Sequence, residues 1–320
     1  MKKKADKQFY MGIDTSAYTT SFAVVDEQEI LVYDKRVALP VKKGQLGLRQ
    51  SEAVFSHLKN VSALVEGFLP PENTGRLVAV AASTRPRPVE GSYMPVFKVS
   101  EALGLFVSQA AGLIFFPSSH QEGHIISGLW SESLKGGKYL AVHFSGGTTE
   151  LLDIEEYNPG KLHIKKIGGT SDLNAGQFID RTGRMLGLKF PAGPSMEILA
   201  SGAGSNLPRL PLSVTGGKIS FSGPASHAER LFREGEAGPE LARAVEICIA
   251  ESLIKAINNL ECKHSTYKGM LAVGGVMANS FIRNYLNRSL EKWHIYYAER
   301  QFTTDCAVGL AVQACRLSND

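Results

Sequence analysis

The sequence predicts an α/β protein made of two similar lobes, and three observations support this fold class. A chain of 320 residues is too long for one average core and suits two domains of roughly 100–200 residues each. The order strand–strand–strand–helix–strand–helix occurs twice along the chain, and no low-complexity segment interrupts it. We therefore expect an N-terminal lobe at 1–130 and a C-terminal lobe at 131–320, the second with a helical insertion of roughly 70 residues.

Hydrophobic periodicity places the individual elements. In the first lobe it predicts strands at 9–14, 20–25, 30–37 and 77–82, and helices at 51–68, 100–112 and 120–130. In the second lobe it predicts strands at 139–144, 150–154, 162–167, 270–273 and 295–298, and helices at 173–186, 239–260, 277–290 and 305–316. The turn at 26–28 fits a hairpin, and Ser51 is a candidate helix cap.

Composition excludes several classes of protein. There is no apolar run of about 18 residues that could span a membrane, and the basic start lacks the apolar core of a secretory signal. The four cysteines form no CxxC pair, which indicates reduced thiols and a cytoplasmic protein. A net charge of +4 is compatible with nucleic-acid binding but does not indicate it.

Three glycine-rich turns could bind an anion through backbone N–H groups, because glycine permits a close approach of the main chain. They lie at 12–16, 145–149 and 273–276, and each follows a predicted strand. Such a turn more often serves packing, but three of them in a two-lobed chain match the actin/sugar kinase/heat-shock ATPase superfamily, which cradles ATP between RNase-H-like lobes. A Walker-type loop is absent from the sequence. We therefore expect this superfamily fold with a central nucleotide cleft.

His120 and His124 stand four residues apart in HQEGH, so both rings lie on one helix face and can bind one cation. Two histidines on an amphipathic helix can equally well pair locally or face solvent. The zinc-protease motif HExxH is not met. A metal site needs a further ligand, and Asp305 is the best candidate, with helix capping as its alternative role.

These motifs together resemble the tRNA N6-threonylcarbamoyladenosine synthase family (TsaD in bacteria, formerly labelled O-sialoglycoprotein endopeptidase). The resemblance runs from about residue 9 to the end and rests on motifs in family order: MGIDTS, HQEGH, HFSGGTTELL, DLNAGQFIDRTGRMLGLKFPAGPSMEILA, SFSG, VGGVMANSFIR and TTD. It implies transfer of a threonylcarbamoyl group from threonylcarbamoyl-adenylate to N6 of an adenosine in the tRNA anticodon loop.

The resemblance also implies ligands and roles for particular residues. One divalent metal (Fe, Zn or Mg) would bind His120, His124 and Asp305, and ATP or an adenylate would be the nucleotide. Ser145 and Asp14 are the expected catalytic residues. The expected nucleotide-binding residues are Gly146, Gly147, Asp172, Gly176, Asp180, Gly193, Gly275 and Asn279. Expected partners are tRNA, a shorter TsaB-like homologue and an ATPase subunit, with no membrane.

The chain departs from the family pattern at several charged positions. Residues 17–20 read AYTT in place of a Cys-Asp-Glu-Thr run, and Thr148 replaces a histidine. Leu173 and Gln177 replace acids, Ala225 replaces a lysine, and the turn at 84–88 lacks its glycines. Two hypotheses follow: a working, diverged synthase, or a paralogue that keeps ATP and metal but has another acceptor or serves as a non-catalytic complex partner. A peptidase has no nucleophile or motif to support it.

Overall fold

The structure is a computed structural model, and it describes residues 7–16, 18–41, 48–66, 76–236, 238–260, 264–302 and 307–320. Contacts divide the chain into two compact units. The first takes the described residues within 1–136, 156–162 and 305–320, and the second takes those within 137–155 and 163–304. The sequence-based domain boundary between residues 130 and 131 stays a prediction.

The first unit is built on a five-stranded sheet in the order β3-β2-β1-β4-β5. Its strands are β1 (Gln8–Thr15), β2 (Thr19–Asp26), β3 (Leu31–Ala38), β4 (Arg76–Arg85) and β5 (Ile114–Ser119). Its helices are α1 (Gln50–Val65), α2 (Phe97–Ala111), α3 (His120–Ser131) and α9 (Ala307–Ser318). β1, β2 and β3 pair antiparallel, whereas β4 runs parallel to β1 and β5.

The residues of β1 are buried from Phe9 onward, because α9 packs on one face of the strand. Gly12 makes this approach feasible: a Cβ there would lie 1.9 Å from the carbonyl oxygen of Ala307. Gly12 therefore sits inside a strand against a helix, and not in an anion-binding turn as the sequence suggested. A second glycine, Gly309, brings α9 close to α3, since a Cβ there would lie 1.9 Å from the carbonyl oxygen of Gly123.

The second unit is built on a seven-stranded sheet in the order β12-β11-β6-β7-β8-β10-β9. Its strands are β6 (Gly137–Phe144), β7 (Thr149–Asn158), β8 (Lys161–Thr170), β9 (Ser213–Thr215), β10 (Lys218–Ser220), β11 (Met270–Val273) and β12 (Ile295–Tyr297). Its helices are α4 (Ala175–Met185), α5 (Gly193–Ala200), α6 (Ser222–Arg233), α7 (Pro239–Asn258) and α8 (Ser280–Ser289). β11 runs parallel to both β6 and β12.

The core of this unit joins the sheet to α4, α5, α7 and α8, and α7 contributes its largest share of buried residues. Apolar positions on α7 recur at nearly every turn and face, which explains why it is the longest helix the structure describes, at 20 residues. Because α7 is buried on several sides, even the carboxylate of Glu246 lies inside the unit, with 0% exposure.

Most predicted elements are present, with shifts of a few residues at their ends. Ser51 is not a cap: α1 begins at Gln50, and its cap residue Arg49 makes no side-chain hydrogen bond. The helix predicted to begin at 277 begins at Ser280, after the 3-10 turn Gly275–Ala278. The sequence reasoning missed β5, α5, β9, β10 and α6. Among the described residues, no helix has the length and apolar content needed to cross a membrane.

Candidate functional site

His120 and His124 lie on the first turns of α3, as the spacing predicted. Ser119 caps this helix: its hydroxyl accepts from the backbone N–H of Glu122, and the Glu122 carboxylate accepts from the Ser119 N–H at 2.8 Å. Glu122, the acid between the two histidines, is thus used in a capping box. The two imidazole centroids are 4.6 Å apart at an edge-on angle of 70°. The pair is therefore held on a rigid helix start.

Asp14, near the end of β1, contacts this histidine pair directly. The Nδ1 atom of His120 lies 3.0 Å from Oδ1 of Asp14, and the Asp14 side chain is almost fully buried. A carboxylate at this position favours a proton on Nδ1 of His120, and Nε2 is then the basic nitrogen of the ring. Asp14, His120 and His124 thus form one cluster in the first unit, and Asp14 orients a histidine within it.

The expected third metal ligand, Asp305, lies outside the described residues. Among the residues that the structure does describe, no three His, Cys, Asp or Glu side chains are arranged to hold one ion. Two imidazoles with one ring oriented by a carboxylate are nevertheless a donor set that suits Fe or Zn better than Mg, which prefers oxygen ligands. The cluster therefore offers two suitable ligands to a transition metal, the imidazoles of His120 and His124.

A polar network fixes the chain directly after Asp14. Thr15 donates its hydroxyl to the carbonyl oxygen of Val96 at 2.8 Å. His57 of α1, with 0% exposure, places Nε2 at 2.8 Å from the carbonyl oxygen of Ser16 and Nδ1 at 2.8 Å from the hydroxyl of Thr20. Since a carbonyl oxygen only accepts, Nε2 carries a proton. Burial lowers the pKa of His57, against the Ser16 contact and the Asp14 charge.

Sequence reasoning missed His57, because it reads as one residue of an amphipathic helix. The only indication in the sequence is that this histidine lies between apolar residues on the inward face of α1. The hydrogen-bond partners of His57 come from residues about 40 positions earlier. That pairing is invisible until the sheet and the helix are packed together.

In the second unit, Ser145 closes the glycine turn that follows β6. Its hydroxyl accepts from the N–H groups of Gly147 and Thr148, at 3.3 and 3.1 Å, and its own N–H donates to the carbonyl oxygen of Thr148 at 2.7 Å. Gly146 and Gly147 are exposed, and nothing lies within 4 Å of a Cβ built on either. The turn therefore presents open backbone next to a hydroxyl whose acceptor side is already used.

Gly176, in the first turn of α4, lies against this glycine turn. Its N–H donates to the carbonyl oxygen of Ser145 at 3.2 Å, and a Cβ on Gly176 would lie 2.7 Å from the Cα atom of Gly146. A side chain cannot fit there without moving the turn. The N-terminus of α4, which carries a partial positive charge, thus reaches the turn predicted to hold phosphate.

The carboxylate of Asp172 is engaged by its own surroundings. It accepts from the hydroxyls of Thr170, at 2.7 Å, and Ser220, and from the N–H groups of Leu173, at 2.5 Å, and Phe221, at 3.3 Å. Burial raises the pKa of Asp172, but these hydrogen bonds outweigh it, and the pKa lies well below its ordinary range. Asp172 joins the entry of α4 to β10, so its side chain is used to shape the loop.

Asp180 and Gly193 meet at the start of α5. The backbone N–H of Ala192, the residue before this helix, donates to Oδ1 of Asp180 at 2.7 Å. Burial raises the pKa of Asp180, and the bond from Ala192 lowers it by less. Gly193 begins α5, and nothing lies within 4 Å of a Cβ built on it. One oxygen of Asp180 thus holds the loop, and the other remains for a second partner.

Gly275 and Asn279 lie in the turn after β11. Gly274 has a φ of +95° and a Cβ there would lie 2.3 Å from the carbonyl oxygen of Phe144, so only glycine fits. Gly275 is exposed at the start of the 3-10 turn. Asn279 caps α8: its Oδ1 accepts from the N–H of Ile282 at 2.9 Å.

The other end of the Asn279 amide reaches a buried acid that the sequence did not point to. Its Nδ2 donates to Oε1 of Glu246 at 2.6 Å, and Arg243 contacts Oε2 of the same carboxylate at 2.5 Å. Burial raises the pKa of Glu246 to about 7, although Asn279 and Arg243 lower it. Both ends of the Asn279 amide are therefore engaged, one by the first turn of α8 and the other by Glu246 of α7.

Similarity to solved structures agrees with the fold. The chain superposes on component A of (R)-2-hydroxyglutaryl-CoA dehydratase from Acidaminococcus fermentans with a TM-score of 0.61 and 13% identity, over 98% of this chain and 99% of that one. It superposes on full-length HypF in a phosphate- and nucleotide-bound form with a TM-score of 0.61 and 12% identity, over 99% of this chain and 57% of that one. The protein thus shares the two-sheet α/β fold of these proteins, which is the fold class that the sequence predicted.

Within this class, the family is shown by sequence. The profile of TsaD, tRNA N6-adenosine threonylcarbamoyltransferase, matches residues 52–312, which is most of the chain. The chain belongs to this family.

Two curated relatives carry the same name, tRNA N6-adenosine threonylcarbamoyltransferase. One, from Prochlorococcus marinus (strain MIT 9303), is 29% identical over 327 aligned residues, with 95% of this chain and 89% of the relative covered. The other, from Vesicomyosocius okutanii subsp. Calyptogena okutanii (strain HA), is 29% identical over 224 residues. That match covers 67% of this chain and 63% of the relative, so the aligned part spans less than two thirds of that relative's length.

Proposed function

We propose that this protein transfers a threonylcarbamoyl group from threonylcarbamoyl-adenylate to N6 of an adenosine in the tRNA anticodon loop, with a metal and a nucleotide bound. Family membership gives the reaction class, tRNA modification. The observation that carries the proposal is the cluster of Asp14, His120 and His124, in which a buried carboxylate orients a histidine that shares a helix face with a second one. This arrangement survives in a chain that has lost several other charged residues of the family pattern.

A transition metal, Fe or Zn, is the group that this cluster would hold, with Nε2 of His120, an imidazole nitrogen of His124 and Asp305 as ligands. When bound, such an ion supplies Lewis acidity toward phosphate or carbonyl oxygens. The role of Asp14 is to keep the proton on Nδ1 of His120 and so present Nε2. Asp14 is then a positioning residue, and not the catalytic residue that the sequence suggested.

Ser145 is proposed to act as a hydrogen-bond donor and not as a nucleophile. Its oxygen already accepts two backbone N–H groups, which polarises the hydroxyl and strengthens it as a donor. The O–H group would donate to a phosphate oxygen of the nucleotide, beside the open backbone of Gly146 and the N-terminus of α4. The turn thus binds and orients an already activated donor, which is most of what this reaction requires from a protein.

The remaining nucleotide-side residues are proposed to contribute shape. Gly275 offers exposed backbone, and Gly193 offers space at the start of α5. Asp172 and Asn279 hold the loops around them. Asp180 is the acid with one oxygen left for a ribose hydroxyl. If it has this role, Asp180→Asn keeps the bond to Ala192 but weakens nucleotide binding roughly tenfold, as for a lost charged hydrogen bond; unchanged affinity would remove the role.

A shorter homologue is proposed as a protein partner of the first unit. Large apolar side chains are exposed on both α1 and α2: Phe55 59%, Leu58 56%, Val65 52%, Leu105 42% and Phe106 73%. Exposed apolar groups concentrated on two helices are typical of a protein interface. The expected ATPase subunit rests on the resemblance alone. Co-elution of this chain with a TsaB-like homologue, lost in Phe106→Asp, would support the interface.

A second candidate is a paralogue that keeps nucleotide and metal but serves another acceptor or only assembles with partners. The replacement of family acids favours this candidate, because the residues that now occupy those positions serve packing. Leu173 is buried in the core of the second unit, and Gln177 accepts from the N–H of Asn174 at 3.1 Å in the cap of α4. Ala225, where the family has a lysine, is likewise buried. These positions no longer offer charge to a substrate.

One experiment separates the two candidates. The purified protein is incubated with Fe²⁺ or Zn²⁺, threonylcarbamoyl-adenylate and unmodified tRNA, with and without the TsaB-like and ATPase partners. The modified nucleoside is then measured by mass spectrometry. We expect product with the wild type, none with His120→Ala, and full product with His163→Ala, which removes an exposed histidine of β8. Absence of product with all partners present, while metal and nucleotide still bind, would favour the paralogue.

A further inference from the structure

A surface with basic and aromatic side chains lies at the end of the second sheet that is opposite to the glycine turns. Its residues are Lys138, His264, Tyr267, Lys292 and Trp293. β6, β11 and β12 are parallel neighbours, so their first residues meet at one edge. Ser145 and Gly274 follow the last residues of β6 and β11, at the other edge. Lys138 is the second residue of β6, and Trp293 lies shortly before β12. None of the proposed site residues lies on this surface.

A cavity of about 280 Å³ opens there, at the small end of the range for ligand sites. Ile257 and Leu260 give it an apolar wall, Asn258 and Ser265 a polar one, and His264, Lys292 and Trp293 complete it. No acidic side chain is among the described residues that line the cavity. The lining therefore suits a flat, partly apolar group that carries a negative charge.

The ring of Trp293 is anchored, because it packs on the core of the second unit while it lines the cavity. His264 lies edge-on to it with centroids 6.4 Å apart, and Tyr267 lies at 5.9 Å. Lys138, which is paired with Asp153 at 3.0 Å, places its ammonium group 5.5 Å from the centre of the Tyr267 ring, so Lys292 is the cation that faces the cavity. Aromatic rings next to cations are what proteins use to bind single-stranded nucleic acid, in which bases stack and phosphates are neutralised.

We propose that this cavity binds one nucleotide of an RNA chain, with its base against Trp293 and its phosphate near Lys292 and His264. The proposal rests on tRNA as the substrate of the proposed function. It adds a contact away from the proposed reaction site, through which the protein holds the body of the RNA. The contact reads phosphate charge and a base face, and so it carries little sequence preference.

The test uses the fact that the chain has only two tryptophans, Trp130 and Trp293. Unmodified tRNA and a short single-stranded RNA are titrated into the full-length protein while tryptophan fluorescence and affinity are measured. Stacking of a base on Trp293 quenches its emission. In Trp293→Phe we expect the quench to vanish while affinity stays within about twofold, because phenylalanine still stacks.

Trp293→Ala should weaken RNA binding about tenfold, the size expected for one lost stacking contact. Lys292→Gln should lower the slope of log affinity against log salt by about 1. Lys165→Gln, at an exposed lysine of β8, removes the same charge from a distant strand of the sheet. It should leave the RNA affinity and its salt dependence unchanged. Thermal unfolding shows which variants are folded, and the fluorescence of Trp293→Phe tests the contact with the mildest substitution.

Two results overturn the proposal: RNA that leaves the emission of Trp293 unchanged, or a quench by adenosine monophosphate as strong as that by RNA, which would make this a free-nucleotide site. The proposed function fails separately. A wild type that modifies tRNA while the Trp293 and Lys292 variants bind it normally refutes only this inference. A wild type that shows the Trp293-dependent quench but no modification with all partners present refutes only the synthase.

Discussion

The candidate site residues of the two units use their side chains in opposite ways. In the first unit, Asp14 contacts Nδ1 of His120, and the ring of His120 packs against the ring of His124, so the side chains themselves form the cluster. In the second unit, the side chains of Asp172 and Asn279 are turned into the surrounding loops. What that unit offers a ligand is the backbone that these side chains hold in place.

This difference separates two kinds of substitution. A change in the first cluster removes a chemical group, so it should alter binding of an ion while the fold persists. A change in the second unit moves a turn, so it should alter stability and nucleotide binding together. The predictions below test this contrast, from the largest expected effect to the smallest.

The largest effect is expected at the histidine pair. His120→Ala with His124→Ala should reduce the metal content of the purified protein to background, because two ligands are lost together. Asp14→Ala should weaken metal binding by about 10–100-fold through the misplaced His120 ring, as for other outer-shell carboxylates. Metal analysis and titration calorimetry with Zn²⁺ measure both. His163→Ala is the matched control, and equal metal content in all variants would show that the cluster does not bind metal.

Glu246 should make the second unit sensitive to high pH. Its pKa of about 7 lies above the ordinary 4.5, so the folded protein holds a proton that the unfolded chain has released. The stabilisation is complete below about pH 4.5 and is lost as pH rises through 7, by roughly 3 kcal/mol at 1.36 kcal/mol per unit. Urea unfolding at several pH values measures this slope. Glu246→Gln should lack it; an identical slope in the variant would assign it to another group.

Gly176 tests whether shape alone matters in the second unit. Gly176→Ala places a Cβ 2.7 Å from Gly146, which should cost about 1–3 kcal/mol of stability as overpacking and weaken nucleotide binding severalfold. Gly223→Ala in α6 is the control, since nothing lies within 4 Å of its Cβ. Denaturant titrations and fluorescent-nucleotide binding report the two effects. Normal stability and affinity in Gly176→Ala would mean that the close approach to the glycine turn is not needed.

The smallest effect is expected at His57, which should make the first unit sensitive to low pH. Burial lowers its pKa below the ordinary 6.5, so the unfolded chain takes up a proton first. Stability is therefore full above about pH 6.5 and falls as pH decreases through the lower folded pKa. His57→Gln keeps an N–H donor for the Ser16 carbonyl but does not titrate. Urea unfolding of wild type and variant between pH 7 and 5 measures the difference, and an equal loss of stability in both would assign the pH dependence to another group.

The sequence predicted best those elements that have a clear hydrophobic periodicity or a clear terminating residue. The strand at 270–273 is a continuous apolar run between two glycines, and the structure has it at Met270–Val273. β9 and β10 were missed because strands of three residues carry too little pattern. β5 was missed because Pro117 argues against a strand, although it lies at the sheet edge, where proline is tolerated.

The same division applies to the candidate site. The spacing of His120 and His124 is enough to place both on one helix face. Pairing of Asp14 with His120 joins residues 106 positions apart, and pairing of Asn279 with Glu246 joins residues 33 apart. No local pattern contains such contacts. The expectation that Gly12 forms an anion-binding turn was wrong because the reason for that glycine is a helix near the end of the chain.

The sequence by itself determined the α/β class, the family and most of the elements, because hydrophobic periodicity and ordered motifs are properties of neighbouring residues. Only the tertiary structure decided which polar groups meet. It assigned Asp14 to orienting a histidine, Ser145 to closing a turn, and Glu246 to a buried position beneath an asparagine. The physical reason is that hydrogen bonds and burial act across the packed chain, where a carboxylate acquires its role from the donors around it and not from its neighbours in sequence.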